Sequence, residues 1–384
     1  MIKRKVAVVI ASRANYGRSK SLIQKIKDHK DLKLILVVCG SAILDKFGET
    51  SKVIEKDGFK IDYQCNYLLA GSDLRSQATT TGLAIIQLTE IFSSCRPNYV
   101  VTVADRYETL ATAISASYQN IPLIHLQGGD ISGNIDDKVR HAITRLADYH
   151  FPASMQSYKN LIKMGESKKT IWMHGCPSMD LINETISFNE LIKSSDKLTN
   201  LKKDKFFLVL LHPVTDRPNE SIKILKNLLE ALKEFNNKVV IVSPNVDAGS
   251  QKIREIYKKL KSDSENNSIF IENLSPIYFL TLIKNSQACI GNSSSFLREA
   301  GLCGVPSLIL GNRQNGRELA HNCLVLKNTS KEIIIQKIKL IIKTKKFKPD
   351  KRFGDGNAGQ KIANTISKLP LEYQNKEKIF FKDI

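Results

Sequence analysis

The chain is 384 residues long, 42% hydrophobic and 25% charged, which suits a globular protein of two ordinary domains and excludes a disordered or fibrous one. No apolar run approaches the ~18 residues of a membrane span, and seven scattered cysteines without a C-x-x-C pair give neither a zinc site nor a disulfide framework, so a cytoplasmic setting is expected. The net charge of +20 is carried largely by lysines on amphipathic helices and in the stretch 343–352, with no helix-turn-helix, zinc-finger or RNP signature, so neither nucleic acid nor membrane is expected as a partner.

Apolar β-branched runs alternate with helix-period segments along nearly the whole chain. The opening MIKRKVAVVIAS lacks a small-residue cleavage site and runs straight into Arg13, so it reads as a first strand at 6–11 and not as a targeting segment. Further buried parallel strands are expected at 34–39, Tyr99–Val103 and 121–126, each followed by a helix pattern; one is Tyr107–Tyr118, with apolar residues every three or four positions. A weaker strand at 171–174 closes this half. After a break at 177–205, a helical stretch and then the polar run SSDKLTNLKKDK, strands are expected again at 206–211, 239–243, 269–271, Ala288–Gly291 and 306–310. Such β-α units predict an α/β protein of two Rossmann-like doubly wound domains, at 1–177 and 178–355, with a C-terminal helix and tail at 356–384. Parallel sheets bind ligands at the carboxyl ends of their strands, so the active site is expected in an interdomain cleft. Gly354-Asp-Gly356-Asn-Ala-Gly359 matches the dinucleotide pattern G-x-G-x-x-G. It follows a basic loop with only 25 residues to come, and so predicts a turn into a last helix at 360–369.

The polar residues cluster where strands end. Asp105 closes the strand in VVTVADRYE, a position that suits the N-cap of the following helix as readily as a catalytic carboxylate. In HLQGGDISGNIDDKVRHAITRLADYHF, the residues His125, Asp130, Asp136, Asp137, Arg140 and His141 fall within 17 positions, between a strand's carboxyl end and a helix start. Acids at a helix start are ordinary dipole chemistry, but so many ionisable groups together shift one another's pKa values and can supply both acid and base. His212 follows the strand of KFFLVLLHPVT, which Pro213 ends. Ile290-Gly-Asn-Ser-Ser-Ser-Phe-Leu-Arg-Glu299 reads as strand, tight turn, helix. Its serines would present hydroxyls and backbone N–H groups to a diphosphate, and no Glu or Gln stands where a capping box needs one. Glu299, one turn on, is placed to reach a ribose diol, while Arg13, Arg313 and Arg317 follow other strands and add positive charge.

Taken in order, ASRANYG, ADRYE, HLQGGD…DDKVRHAITRLADYHF, HPVT, PNVDAG, IGNSSSFLREAGLCGVP and GNRQNGRE resemble the motifs of the UDP-N-acetylglucosamine 2-epimerases, over about residues 6–359. The resemblance implies a GT-B-like pair of Rossmann-type domains whose C-terminal helix crosses back to the first. It implies that Ser293, Ser294 and Arg13 hold the diphosphate and Glu299 the ribose, with Arg313 nearby and Asn245 and Gly291 in the same binding set. Asp105, Asp130, Asp136 and His212 match catalytic positions, with Arg140 beside them. The R-H-A-I-T-R run and HPVT are similar to the hydrolysing branch; the non-hydrolysing branch usually has H-x-E-A-G where this chain has His125-Leu-Gln-Gly-Gly. Two positions depart from the pattern, since many hydrolysing members carry His at Gln127 and most carry Glu at Asp130.

The implied reaction eliminates the nucleotide to give a 2-acetamidoglycal and then hydrates it, taking UDP-N-acetylglucosamine and water to N-acetylmannosamine and UDP. A sugar pocket altered at Gln127 and Asp130 would suit UDP- or GDP-linked N,N′-diacetylbacillosamine instead; non-hydrolysing epimerases and GT-B glycosyltransferases share the architecture. No cofactor, neither NAD nor metal, is implied. A nucleotide sugar is the expected partner, and the chain is expected to assemble as a homo-oligomer, dimer or tetramer. The chemistry accounts for the inventory of residues. The sugar's C2 proton becomes acidic only as the C1–O bond breaks and positive charge builds at C1, which calls for cationic donors on the departing diphosphate and carboxylates around the sugar.

Overall fold

Alternate residues of the first strand point to opposite faces and both sets are apolar: Val6, Val8 and Ile10 enter one buried cluster, Ala7, Val9 and Ala11 another. A strand of that kind belongs in a parallel sheet covered on both sides, and the computed structural model contains two such sheets. It describes residues 3–44, 49–69, 74–131, 135–214, 218–244, 249–261, 267–272 and 274–371. The chain divides into two units, one built from Met1–Ile131, Ile135–Asp180 and Arg352–Ile384, the other from Leu181–Lys351.

In the first unit, β1 (Arg4–Ile10), α1 (Arg13–Asp28), β2 (Leu32–Cys39), α2 (Thr50–Lys56), β3 (Tyr63–Cys65), α3 (Leu74–Cys95), β4 (Tyr99–Val103), α4 (Tyr107–Tyr118), β5 (Leu123–Leu126), α5 (Ile135–Leu146), β6 (Tyr149–Phe151) and α6 (Met155–Lys163) follow one another. The six strands pair in the order β3-β2-β1-β4-β5-β6, all parallel. One face is covered by Leu22, Ile23 and Ile26 of α1. The other is covered by Leu88 and Phe92 of α3, Ala113 of α4 and Ile143 of α5. The strand expected at 171–174 is not formed. Ile171 makes an isolated bridge to His150, and the chain turns back at once, with His174 N–H donating to the Trp172 carbonyl. The sheet edge belongs to β6.

The second unit repeats the plan with α7 (Phe188–Lys193), β7 (Phe206–Leu210), α8 (Pro218–Leu232), β8 (Lys238–Val242), α9 (Ser250–Lys261), β9 (Ser268–Ile271), α10 (Pro276–Asn285), β10 (Ala288–Gly291), α11 (Glu299–Leu302), β11 (Ser307–Leu310), β12 (Cys323–Leu326) and α12 (Lys331–Ile341). Its parallel order is β12-β11-β10-β7-β8-β9. Phe207 and Val209 pack against α8, α9 and α12, while Phe206, Leu208 and Leu210 pack toward α10 and the segment around α11.

A last helix, α13 (Ala358–Ile366), completes the first unit, burying Ile362, Ala363 and Ile366 in the same cluster as Val6 and Ile10. The carboxylate of Asp180 serves its N-terminus, with Oδ1 accepting from Ala358 N–H at 2.8 Å and Oδ2 from Gly359 N–H at 2.7 Å and the Ser21 hydroxyl at 2.6 Å. That remote acceptor starts the helix two residues earlier than its own sequence suggests. The Gly354–Gly359 pattern is therefore a turn into a capped helix. No helix among the described residues is long and apolar enough to cross a membrane.

Candidate active site

Each sheet reverses its winding direction once, between β1 and β4 in the first unit and between β7 and β10 in the second. At such a switch point the loops leave the strand ends in opposite directions and open a crevice. Arg13 follows β1, Asp105 follows β4, His212 follows β7, and Ser293 and Ser294 follow β10. Every one of these expected residues thus lies at a switch point.

In the first unit the charged network centres on Arg140, which is 0% exposed although it is an arginine. It rises from α5 to pair with the carboxylate of Asp105, donates to the Asp130 carbonyl at 2.8 Å and to Asp137 Oδ1 at 2.5 Å. Burial works against its charge, but Asp105, Asp130 and Asp137 outweigh burial and drive its pKa upward. One fixed cation therefore holds Asp105 and Asp130 together. Asp137 is the acid of the DD pair that grips Arg140; Asp136 stands beside it in the first turn of α5, half-buried. The N-cap position of α4 falls to Arg106 and not to Asp105. Arg106 in turn makes a bidentate pair with the fully buried Glu108, Nε to Oε2 at 3.1 Å and Nη2 to Oε1 at 3.0 Å. Arg13, half-buried, is the first residue of α1, where a cation opposes the helix dipole.

His125 fixes the backbone that delivers Asp105. Ala104 has φ of 66°, in the left-handed region, and its carbonyl lies 2.8 Å from His125 Nε2. A carbonyl only accepts, so Nε2 carries the proton, and Nδ1 accepts from the Thr144 hydroxyl at 3.2 Å. Burial lowers the His125 pKa to about 3 and keeps the ring neutral. The loop that follows is packed just as closely. A Cβ on Gly129, at φ 83°, would stand 2.2 Å from the Ser157 carbonyl, so only glycine fits. Asp130 Oδ1 accepts from the Ser157 hydroxyl at 2.5 Å. Gln127, 2% exposed, donates to Cys176 Sγ at 2.8 Å. The departure at Gln127 is therefore matched by an internal partner.

In the second unit Gly291 has φ of 149°, and a Cβ there would lie 2.1 Å from the Leu210 carbonyl. The helix expected after it is shorter than its sequence suggests. Ser293 caps a three-residue 3-10 turn, Ser294–Phe296, through Ser295 N–H at 3.3 Å, and α11 has only four residues before Gly304-Val305-Pro306 leads into β11. The anion-binding potential of Ser293 and Ser294 thus rests on hydroxyls and local N–H groups, not on a long helix dipole. Glu299 opens α11, half-buried. Arg313, after β11, donates to the Asn292 carbonyl at 3.3 Å, and Gln314 donates to it at 2.7 Å. Asn245 lies outside the described residues. Asn292, Ser157 and Gln314 carry no signal in the sequence until a partner is seen, while Asp137, one of the clustered acids, takes the grip on Arg140.

A family model described as UDP-N-acetylglucosamine 2-epimerase matches residues 24–367. The chain is 31% identical over 372 residues to the UDP-N,N′-diacetylbacillosamine 2-epimerase (hydrolyzing) of Legionella pneumophila, with 97% of each chain covered. It is 32% identical over 327 residues to the GDP/UDP-N,N′-diacetylbacillosamine 2-epimerase (hydrolyzing) of Campylobacter jejuni, with 84% of each covered. The crystal structure of UDP-GlcNAc 2-epimerase from Neisseria meningitidis bound to UDP-GlcNAc shares its GT-B-like two-domain fold at a TM-score of 0.80 and 20% identity, over 95% of this chain and 100% of that one. With its motifs at the switch points of two doubly wound sheets and a family match over most of its length, the chain belongs to the UDP-N-acetylglucosamine 2-epimerase family.

Proposed function

We propose that the chain is a hydrolysing 2-epimerase that takes a UDP-linked 2-acetamido sugar and water to UDP and the free 2-epimer. The observation that carries this reading is the buried Arg140, which holds Asp105 and Asp130 at the carboxyl edge of β4 and β5. A single guanidinium among several aspartates leaves the cluster net negative, as a developing positive charge at C1 requires. In the first step the C1–O bond breaks, its electron pair leaves with UDP, the C2 proton passes to a base and the C1=C2 bond of the glycal forms. In the second step water adds its oxygen to C1 while C2 takes a proton on the opposite face. Asp105, Asp130, Asp136 and His212 are the groups assigned to move these protons and steady the charge. Ser293, Ser294, Arg13 and Arg313 are assigned to the diphosphate, with Gly291 allowing close approach, and Glu299 to the ribose; Asn245 joins this binding set on its motif alone.

For the sugar, the two hydrolysing relatives above favour N,N′-diacetylbacillosamine. UDP-N-acetylglucosamine is the second reading, favoured by the family description. Both are tested with the GDP-linked compound in one set of incubations, the products being identified by mass spectrometry and NMR. In heavy water the product is expected to carry deuterium at C2. In ¹⁸O-water the label is expected on the sugar's C1 oxygen and not on UDP. A sugar that keeps its original C2 proton, or a 2-epimer still joined to its nucleotide, would refute the hydrolysing assignment.

A further inference from the structure

We infer that Asn292 is the residue that positions His212, a role that rests on the epimerase reading above. At the switch point of the second sheet, β7 and β10 run in register as far as Leu210 and Gly291. Beyond that rung the two backbones part, and the peptide groups of His212 lose a strand neighbour. Both are met by one side chain. His212 N–H donates to Asn292 Oδ1 at 2.7 Å, and Asn292 Nδ2 donates to the His212 carbonyl at 2.8 Å. A carboxamide on a short stem offers an acceptor and a donor in one plane, as a peptide group does, so Asn292 adds a rung to the sheet where the backbone cannot. At 1% exposure it meets no competing water. Pro213 restricts the backbone of His212 to extended values from the other side.

The same residue ties down the neighbouring loops. Asn292 N–H donates to the Leu210 carbonyl at 3.2 Å. Its own carbonyl receives Gln314 and Arg313 from the loop after β11. With its N–H and carbonyl both held, the Cα–Cβ direction of His212 is fixed, and so is the arc its imidazole can sweep. Ser293 and Ser294 follow Asn292 directly in the chain. Asn292 thus sets the proton-transferring histidine in register with the residues assigned to the leaving diphosphate.

The test compares wild type with Asn292→Ala and Asn292→Asp by three measurements: kcat for nucleotide release, UDP affinity by calorimetry, and hydrogen exchange of the peptide containing His212. Misplacing a proton-transfer group by about an ångström costs up to roughly 100-fold, so Asn292→Ala is expected to lose about 10- to 100-fold in kcat while UDP affinity holds. The His212 amide is expected to exchange faster, with the rest of β7 unchanged. Asn292→Asp presents the same donor and acceptor only when protonated, so its kcat relative to Asn292→Ala should rise as pH is lowered. Wild-type kcat in Asn292→Ala, or unchanged exchange at His212, overturns the inference. So does a parallel loss of kcat and UDP affinity, which would make Asn292 a brace for the serine loop. A wild-type protein that frees no nucleotide from any sugar tested overturns the functional reading instead, and the exchange measurement then decides the clamp alone.

Discussion

An isolated guanidinium taken out of water loses several kcal/mol of hydration, and Arg140 is tolerated because Asp105, Asp130 and Asp137 surround it. The same surroundings make Asp105→Asn informative. Asparagine keeps the shape and can still accept from Arg140, so the loss in stability is expected to be about 1–3 kcal/mol. The carboxylate's chemistry is removed altogether, and turnover well below the melting temperature is expected to fall roughly 10²-fold. Turnover that survives while the unfolding midpoint drops would make Asp105 a structural partner of Arg140 only. Asp130 and Arg140 were legible as part of one cluster because so many ionisable residues between one strand end and one helix start exceed what dipole chemistry asks for, whereas Asp105, in another loop, joined them only through the family motifs. The choice between Asp136 and Asp137 was not legible, since adjacent acids in a first helical turn differ only in the direction each faces. Asn292 was illegible for another reason: a side chain that bonds to backbone leaves no partner residue in the sequence to look for.

The strands legible to the residue, β4 and β10, have apolar runs cut off sharply by Asp or Gly. The edge strands β3 and β12 were missed because three or four half-exposed residues make too short a pattern for an alternation to register. The strand ends then depend on cross-ties. β4 and β5 pair Thr102 with His125, and the His125 ring reaches on to hold Ala104. This tie makes the first sheet acid-sensitive. The folded His125 titrates at about 3 against an ordinary 6.5, so between those values the unfolded chain binds a proton that the folded chain does not. Stability from this source is complete above about pH 6.5 and is lost as pH falls toward 3, by up to about 1.4 kcal/mol per pH unit. His125→Gln is expected to be less stable than wild type at pH 7 yet to have a slope shallower by about one proton in urea unfolding between pH 6 and 4. His141 and His174, whose pKa values burial also lowers, remain in both proteins and cancel in the difference. Equal slopes would mean that His125 is already protonated in the fold.

Among the described residues the second unit is one continuous segment, whereas the first is discontinuous because α13 returns to the cluster formed by β1 and α1. Ile362, Ala363, Ile366 and Leu369 are buried there. At about 1.5–3 kcal/mol for each large apolar side chain, their contribution rivals the roughly 5–15 kcal/mol that holds a typical domain folded. Removal of residues 352–384 is therefore expected to leave Leu181–Lys351 resistant to limited proteolysis and to make Met1–Asp180 readily digested, as peptide mass mapping would read out. Resistance of both parts would show that α13 is dispensable. The arrangement also bears on synthesis. About 170 residues are translated between Asp180 and Arg352, which at the usual ~5–20 residues per second takes about 10–30 s. During that interval the nascent first sheet has one apolar face without its last covering helix. The second unit, emerging whole, can finish folding before the first, so a chaperone that engages this chain on the ribosome should be found on its N-terminal half.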